Sequence, residues 1–219
     1  MATYVRKSAL KEIEKTPSLS DRAYEQIKDA IIMNQLRPGE VLAEEQLADR
    51  LSISRTPLRS ALKQLVFEHI AEIGDSKNVI VSNVTLQDIG NVSVVRCALE
   101  PLAISLMENN ITKRQIRSLY HLIEKQKNSR THAEKLENEY LFHTQLALCS
   151  RNTFLSDMIE KINLTFRRFL TLSGTFDKYE QAAIGEHEKV VANLEAGNFK
   201  EAEKAMLLHV KNVQERILI

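Results

Sequence analysis

A chain of 219 residues with 43% hydrophobic content can bury one large core or two small ones without disulfide or metal staples. Its net charge of +1, and 12 Lys/Arg against 12 Asp/Glu in residues 1–83, exclude bulk charge as a source of attraction to a polyanion. Six glycines, four prolines and 5% aromatics without Trp disfavour a turn-rich sandwich and indicate a mainly α chain.

In chain order, residues 1–18 carry only weak periodicity near Leu10 and Ile13 and read as an arm or a loosely docked helix. "SDRAYEQIKDAIIMNQL" predicts a first helix with Ser20 as N-cap, Asp21 at the positive dipole end and Ala23, Ile27 and Ile31 inward. Pro38 and Gly39 form the turn that closes it. "AEEQLADRLSI" is a short second helix with Leu47, Ala48 and Leu51 inward, and a tight turn leads to Ser54, the cap of a third helix that accepts Pro57 in its first turn. That helix ends near Phe67, and alternating apolar residues on either side of "GDSKN" predict a β-hairpin. Helix, helix, tight turn, helix and hairpin is the order of a winged helix-turn-helix, spanning residues 19–84.

Beyond Val84 the strand signals stop. "TLQD", "TKRQ" and "DKYE" make Thr85, Thr112 and Asp177 capping-box candidates. Helices are expected over 85–109, 112–130, 133–149, 153–173, 177–196 and 198–217, joined by short loops into an all-α antiparallel bundle over 85–219. Cys97 and Cys149 lack CxxC spacing and read as buried reduced thiols, which implies a cytoplasmic protein. No segment approaches the roughly 20 apolar residues of a membrane span, and charges stand where a signal peptide would be apolar.

The third helix carries the first chemical signal. Arg55, Arg59 and Lys63 lie at four-residue steps, forming one tilted stripe with no acid among them. The apolar face of Leu58, Ala61, Leu62 and Leu65 is centred about 110° away around the helix. Three cations at this spacing can simply solvate a surface. On the second helix of a helix-turn-helix, however, they suit the major groove of double-stranded DNA, where Arg reads guanine O6 and N7 in bidentate fashion. Arg55 and Arg59 fit base reading, Ser54 and Thr56 can donate to phosphate or base, and Lys77 at the hairpin tip can reach the backbone or minor groove.

"LAEEQLADRLSISRTPLRSALKQL" resembles the winged helix-turn-helix of GntR-family transcription regulators, whose hallmark is S-R-T-P-x-R-x-A-L. Ser54, Arg55, Thr56, Pro57, Arg59, Ala61 and Leu62 match it in place. The resemblance implies a homodimer on an inverted-repeat operator. The chain departs from the family at Ala43, where Ser or Pro is common, and at Glu45, where Arg-bearing members have Arg. It also has Asn78 where the wing turn usually has glycine, and Asn tolerates positive φ.

The bundle holds five of the six histidines. Glu139 and His143 stand at i and i+4 on one helix, with His187 and His209 on two later ones. Together they can form a three-histidine, one-carboxylate site for a divalent ion such as zinc, nickel, manganese or iron. Each His can equally be a satisfied core residue, and His121 and His132 carry no assigned role. Residues 85–219 also resemble the FCD ligand-binding domain of the FadR subgroup, through "VRCALEPLA", Phe142–His143, Glu186–His187 and His209. In metal-binding members a D-x-x-F-H run supplies Asp and His, and Glu139 stands at the Asp position here.

The resemblance further implies a small carboxylic acid effector that completes the metal's coordination. Arg96 is then either an effector partner or the ion-pair partner of Glu100 at i+4, and of Arg167 and Arg168 one is expected to face solvent. The leading expectation is a cytoplasmic, ligand-responsive DNA-binding regulator and no enzyme. Two alternatives stay open, a ligand-free scaffold bundle and a metal-dependent enzyme in which Glu186 is the only obvious nearby carboxylate.

Overall fold

A computed structural model describes residues 16–108 and 110–218 and divides them into two compact units. One comprises residues 16–31 and 36–82, the other 32–35 and 83–218. Most of the expected N-terminal arm, residues 1–15 with Leu10 and Ile13, lies outside the described residues.

The first unit contains α1 (Leu19–Ile32), α2 (Glu44–Leu51), α3 (Arg55–Phe67), β1 (Ala71–Ile73) and β2 (Val79–Val81). Helix α1 buries Ala23, Tyr24, Ile27 and Ile31 on one side. Its cap is Ser18 rather than Ser20. Ser18 Oγ accepts from Asp21 N at 3.1 Å and Asp21 Oδ2 accepts from Ser18 N at 2.9 Å, a reciprocal box that starts the helix two residues earlier than the sequence suggests. Ala43 and Ser54 occupy the cap positions of α2 and α3, and neither side chain makes a cap bond. The turn between these helices works through backbone geometry instead. Ser52 adopts φ 53°, and the N–H groups of Ser52 and Ile53 return to the last α2 carbonyls.

Leu58, Ala61, Leu62 and Leu65 form the fully buried face of α3. The hairpin is antiparallel, with Glu72 opposite Ile80. Val41 bridges Ile80 from the other side, so the segment after Gly39 borders the wing as a short third edge. At the tip, positive φ falls on Lys77 (61°) and not on Asn78.

The second unit contains α4 (Leu86–Ser105), α5 (Lys113–Lys127), α6 (His132–Cys149), α7 (Thr153–Ser173), α8 (Glu180–Glu195) and α9 (Phe199–Leu218), with a 3-10 turn at Phe176–Lys178. Thr85 and Thr112 form the expected capping boxes, and "THAE" makes another at Thr131 with Glu134. Asp177 does not. It lies inside the 3-10 turn, where its carboxylate accepts from His132 Nδ1 and Lys135 Nζ, both at 3.1 Å, and α8 begins only at Glu180. Gly174, at φ 63°, ends α7 in the left-handed conformation that glycine takes without steric cost.

Helix α9 packs on α4 and α8, α6 packs on α5 and α7, and α4 also packs on α7. Two apolar clusters fill the bundle, one around Phe142, Ile104 and Met206, the other around Ile89, Leu136 and Phe176. Both cysteines are free, but only Cys149 is buried; Cys97 is half-buried. No described helix is long and apolar enough to cross a membrane.

Candidate functional site

In the helix-turn-helix, Ser54, Arg55, Thr56, Arg59 and Lys63 all lie on the exposed surface of α3 or its cap, and Lys77 is exposed at the wing tip. The stripe contains no acid of its own, yet α2 supplies two. Arg55 Nη2 donates to Glu45 Oε1 at 2.7 Å, and Arg59 Nε donates to Glu44 Oε2 at 2.7 Å. Sequence spacing within one helix gives no sign of these pairs, because they form across the turn. Lys63 has no ion-pair partner among the described residues.

In the bundle, the fold brings Glu139, His143, His187 and His209 together from α6, α8 and α9. One ligand-capable atom from each lies within 4.8 Å of all the others, and all four residues are buried. His187 Nε2 stands 3.2 Å from His209 Nε2, while Glu139 Oε1 stands 3.3 Å from His143 Nε2 and 3.8 Å from His187 Nε2. Ligands about 2.1 Å from one ion are separated by about 3.0 to 3.4 Å for neighbouring positions and about 4.2 Å for opposite ones. The separations of 3.2, 3.3 and 3.8 Å lie between those limits, and the 4.8 Å span of the whole quartet is somewhat wider than a bound ion would hold it.

The outer partners orient this quartet. His143 Nδ1 donates to Glu100 Oε2 at 2.7 Å, and His209 Nδ1 donates to Glu186 Oε2 at 2.9 Å. With Nδ1 donating to a carboxylate, each ring turns its Nε2 inward, the arrangement that metal-ligating histidines adopt. At His143 burial lowers the pKa, but the Glu100 carboxylate outweighs it and raises the pKa, so that ring would lose its Nε2 proton on binding an ion. Gln126 Nε2 donates to Glu139 Oε2 at 2.7 Å and leaves Oε1 facing the imidazoles. Asn212 and Arg216 hold Glu186 in turn, at 2.7 and 2.6 Å.

His187 is fixed differently, stacked on Phe142 with centroids 3.9 Å apart, and its buried Nδ1 has no hydrogen-bond partner. Burial lowers the pKa of His187 far below the ordinary imidazole value, and burial also lowers that of His209 against the pull of Glu186. Both rings are therefore neutral at pH 7, the form that binds metals. Two Nε2 atoms 3.2 Å apart need a proton or a cation between them, so the donor set fits a divalent transition ion.

Arg96 makes the ion pair with Glu100, at 2.6 Å from Nε to Oε1, and its Nη2 borders His143 Nε2 at 3.4 Å. Burial raises the carboxyl pKa of Glu100, but the charges of Arg96 and His143 outweigh it and hold that pKa well below the ordinary range. Neither arginine of the later pair faces solvent. Arg167 pairs with Glu137 and lies over the Tyr140 ring, while Arg168 is buried, which lowers its pKa to about 10.

A small cleft beside the quartet is lined by Arg96, Glu139, Tyr140, His143, Asn163 and Arg167. Asn163 is buried and its Nδ2 has no hydrogen-bond partner. Sequence reasoning missed Gln126 and Asn163 and saw Glu100 only as a partner for Arg96. The reach of Glu100 to α6 and of Glu186 to α9 depends on helix packing, which carries no local signal.

Comparison with known proteins follows the same division. Residues 91–212 match the FCD domain family, and residues 19–81 match the bacterial regulatory proteins of the gntR family. YdhC of Bacillus subtilis strain 168, an uncharacterized HTH-type transcriptional regulator, is 25% identical over 200 residues, covering 89% of this chain and 88% of its own. McbR of Escherichia coli K12, an HTH-type transcriptional regulator, is 28% identical over 148 residues, covering 66% of this chain and 67% of its own. The solved structure of E. coli McbR/YncC superposes with a TM-score of 0.78 at 21% identity, covering 93% of this chain and 99% of that one. A GntR transcriptional regulator from Rhodococcus sp. RHA1 gives 0.80 at 18% identity, covering 91% and 97%. These structural likenesses carry the fold, and the family matches carry the function. The chain belongs to the GntR family of DNA-binding transcription regulators, a winged helix-turn-helix followed by an FCD domain, and is not an enzyme.

Proposed function

We propose that this regulator is a cytoplasmic homodimer whose affinity for an inverted-repeat operator changes when a small carboxylic acid binds beside a divalent metal in the FCD domain. The observation that carries the reading is the buried convergence of three imidazole nitrogens and one carboxylate oxygen within 4.8 Å. Glu139, His143, His187 and His209 would hold the ion, and its chemistry would be a Lewis-acid attachment point for the effector's carboxylate. Glu139 reaches the imidazoles through Oε1, so the longer side chain at the Asp position still presents its carboxylate to them.

The chain's own groups suit an acid. Arg96 offers Nη2 next to His143, and the unpartnered Asn163 Nδ2 offers a second donor in the adjoining cleft. A buried donor without a partner has a desolvation cost that an acceptor on a ligand would relieve. The effector would act by population shift, stabilising whichever conformational state it binds more tightly. On the DNA side, Arg55 and Arg59 would read bases, with Ser54, Thr56, Lys63 and Lys77 on base or phosphate.

Native mass spectrometry of the full chain purified without chelator tests this reading. A dimer retaining one metal per chain, with an acid-sized adduct whose addition changes DNA binding, is the expected outcome. A chain that neither retains nor takes up zinc, nickel or manganese sinks the metal assignment and leaves the FCD domain as a ligand-free scaffold.

A further inference from the structure

Arg55 and Arg59 point to solvent, yet both are already engaged inside the helix-turn-helix. Glu45 and Glu44 take them at 2.7 Å each. Both acids lie in the first turn of α2, where the positive end of the helix dipole stabilises them. The three-residue turn 52–54 brings that helix start beside the opening turns of α3. The reading face therefore carries no net charge at its first two cations, and among the described residues only Lys63 on the stripe is without an acid.

That neutrality bears on selectivity. Binding to arbitrary DNA is driven by counterion release as cations neutralise phosphates. A guanidinium already neutralised by a carboxylate gains little by exchanging it for one phosphate oxygen, and the displaced carboxylate is left near the phosphates. A guanine edge offers two aligned acceptors instead. Exposed pairs of this kind are weak, so such an edge can open them.

We propose that Glu44 and Glu45 are specificity-determining residues, which hold Arg59 and Arg55 in pairs that arbitrary DNA opens poorly and the operator opens readily. The inference rests on Arg55 and Arg59 reading bases.

The test uses the full-length protein, a random-sequence duplex pool, and a duplex enriched from that pool by repeated selection with the wild type. Affinity for both is followed across a salt series by fluorescence anisotropy. Glu44→Gln and Glu45→Gln are each expected to raise affinity for the random pool about three- to tenfold and to steepen its salt dependence by about one unit of slope. Affinity for the selected duplex rises less, so the ratio between the two falls. Asp29→Asn removes the same charge from an exposed α1 position with no arginine partner among the described residues and is expected to leave the ratio unchanged.

Equal gains on both duplexes, a loss on the random pool, or the same effect from Asp29→Asn would each overturn the proposal. Arg55→Ala and Arg59→Ala separate the two failures. If both keep the wild-type preference for the selected duplex, base reading itself is wrong and the proposal falls with it.

Discussion

Glu100 Oε2 accepts from His143 Nδ1 at 2.7 Å, and both side chains are buried, on α4 and α6 respectively. The other oxygen of Glu100 takes Arg96 Nε at 2.6 Å, so one carboxylate fixes the tautomer of a candidate ligand and neutralises a buried guanidinium.

That arrangement predicts strong coupling. Arg96→Met leaves Glu100 without its cation, and Glu100→Gln leaves Arg96 without its anion; each is expected to cost about 3 to 5 kcal/mol. The double variant should cost less than the two together, with a coupling of about 1 to 3 kcal/mol. Urea unfolding of the three variants measures it, and strictly additive costs would show that the pair does not act as a unit.

Metal binding should appear as stability. At a hundredfold excess over its dissociation constant, a bound ion raises the unfolding free energy by about 2.7 kcal/mol. Thermal unfolding with added zinc or nickel reads this, and His187→Ala and His209→Ala should abolish the shift while keeping the helical circular dichroism signal. Glu186→Gln, which loosens the anchor of His209 without removing a ligand, should weaken metal affinity by about 10- to 100-fold. An undiminished shift in both His→Ala variants would place the ion elsewhere.

On DNA, Arg59→Ala is expected to relax preference at one base pair by about 1 to 3 kcal/mol. Lys63→Ala should instead weaken all sequences alike and reduce the salt slope by about one. Competition binding against single-base operator variants distinguishes them, and equal losses for Arg59→Ala on specific and random duplexes would remove it from base reading.

Thr131→Ala should destabilise the bundle by about 1 kcal/mol through loss of the α6 cap. Glu134 completes that box, and the backbone N–H groups of Arg130 and Thr131 hold its pKa below the ordinary carboxylate range. The advantage of Glu134 over Gln is therefore present at pH above the ordinary carboxylate value and fades as pH falls through the lower folded value. Unfolding of Glu134→Gln and wild type at pH 7 and pH 3 checks the sign, because the gap between them must narrow in acid.

What the sequence alone determined was set by short-range physics. Helix order, the hairpin, and the Thr85 and Thr112 boxes follow from periodicity and from residues three apart. The inward face of α3 is legible for the same reason, as is the proximity of Glu139 to His143 within one helix. The boundaries that failed are also local, but they depend on competition. Ser18 outcompetes Ser20 because Asp21 can reach back to it, and Asp177 leaves its predicted cap because His132 and Lys135 on α6 claim its carboxylate.

Only the tertiary structure decided which partners each polar group meets. The convergence of His187 and His209 on α6 and the anchoring of their neighbours by Glu100, Glu186 and Gln126 arise from helix packing. The capture of Arg55 and Arg59 by Glu45 and Glu44 arises from the turn between two helices. Periodicity marks which face of a helix is buried, whereas a hydrogen bond or ion pair depends on placement to within an ångström or so. That placement is fixed by crossing geometry and turn conformation, to which residues far apart in the chain contribute together.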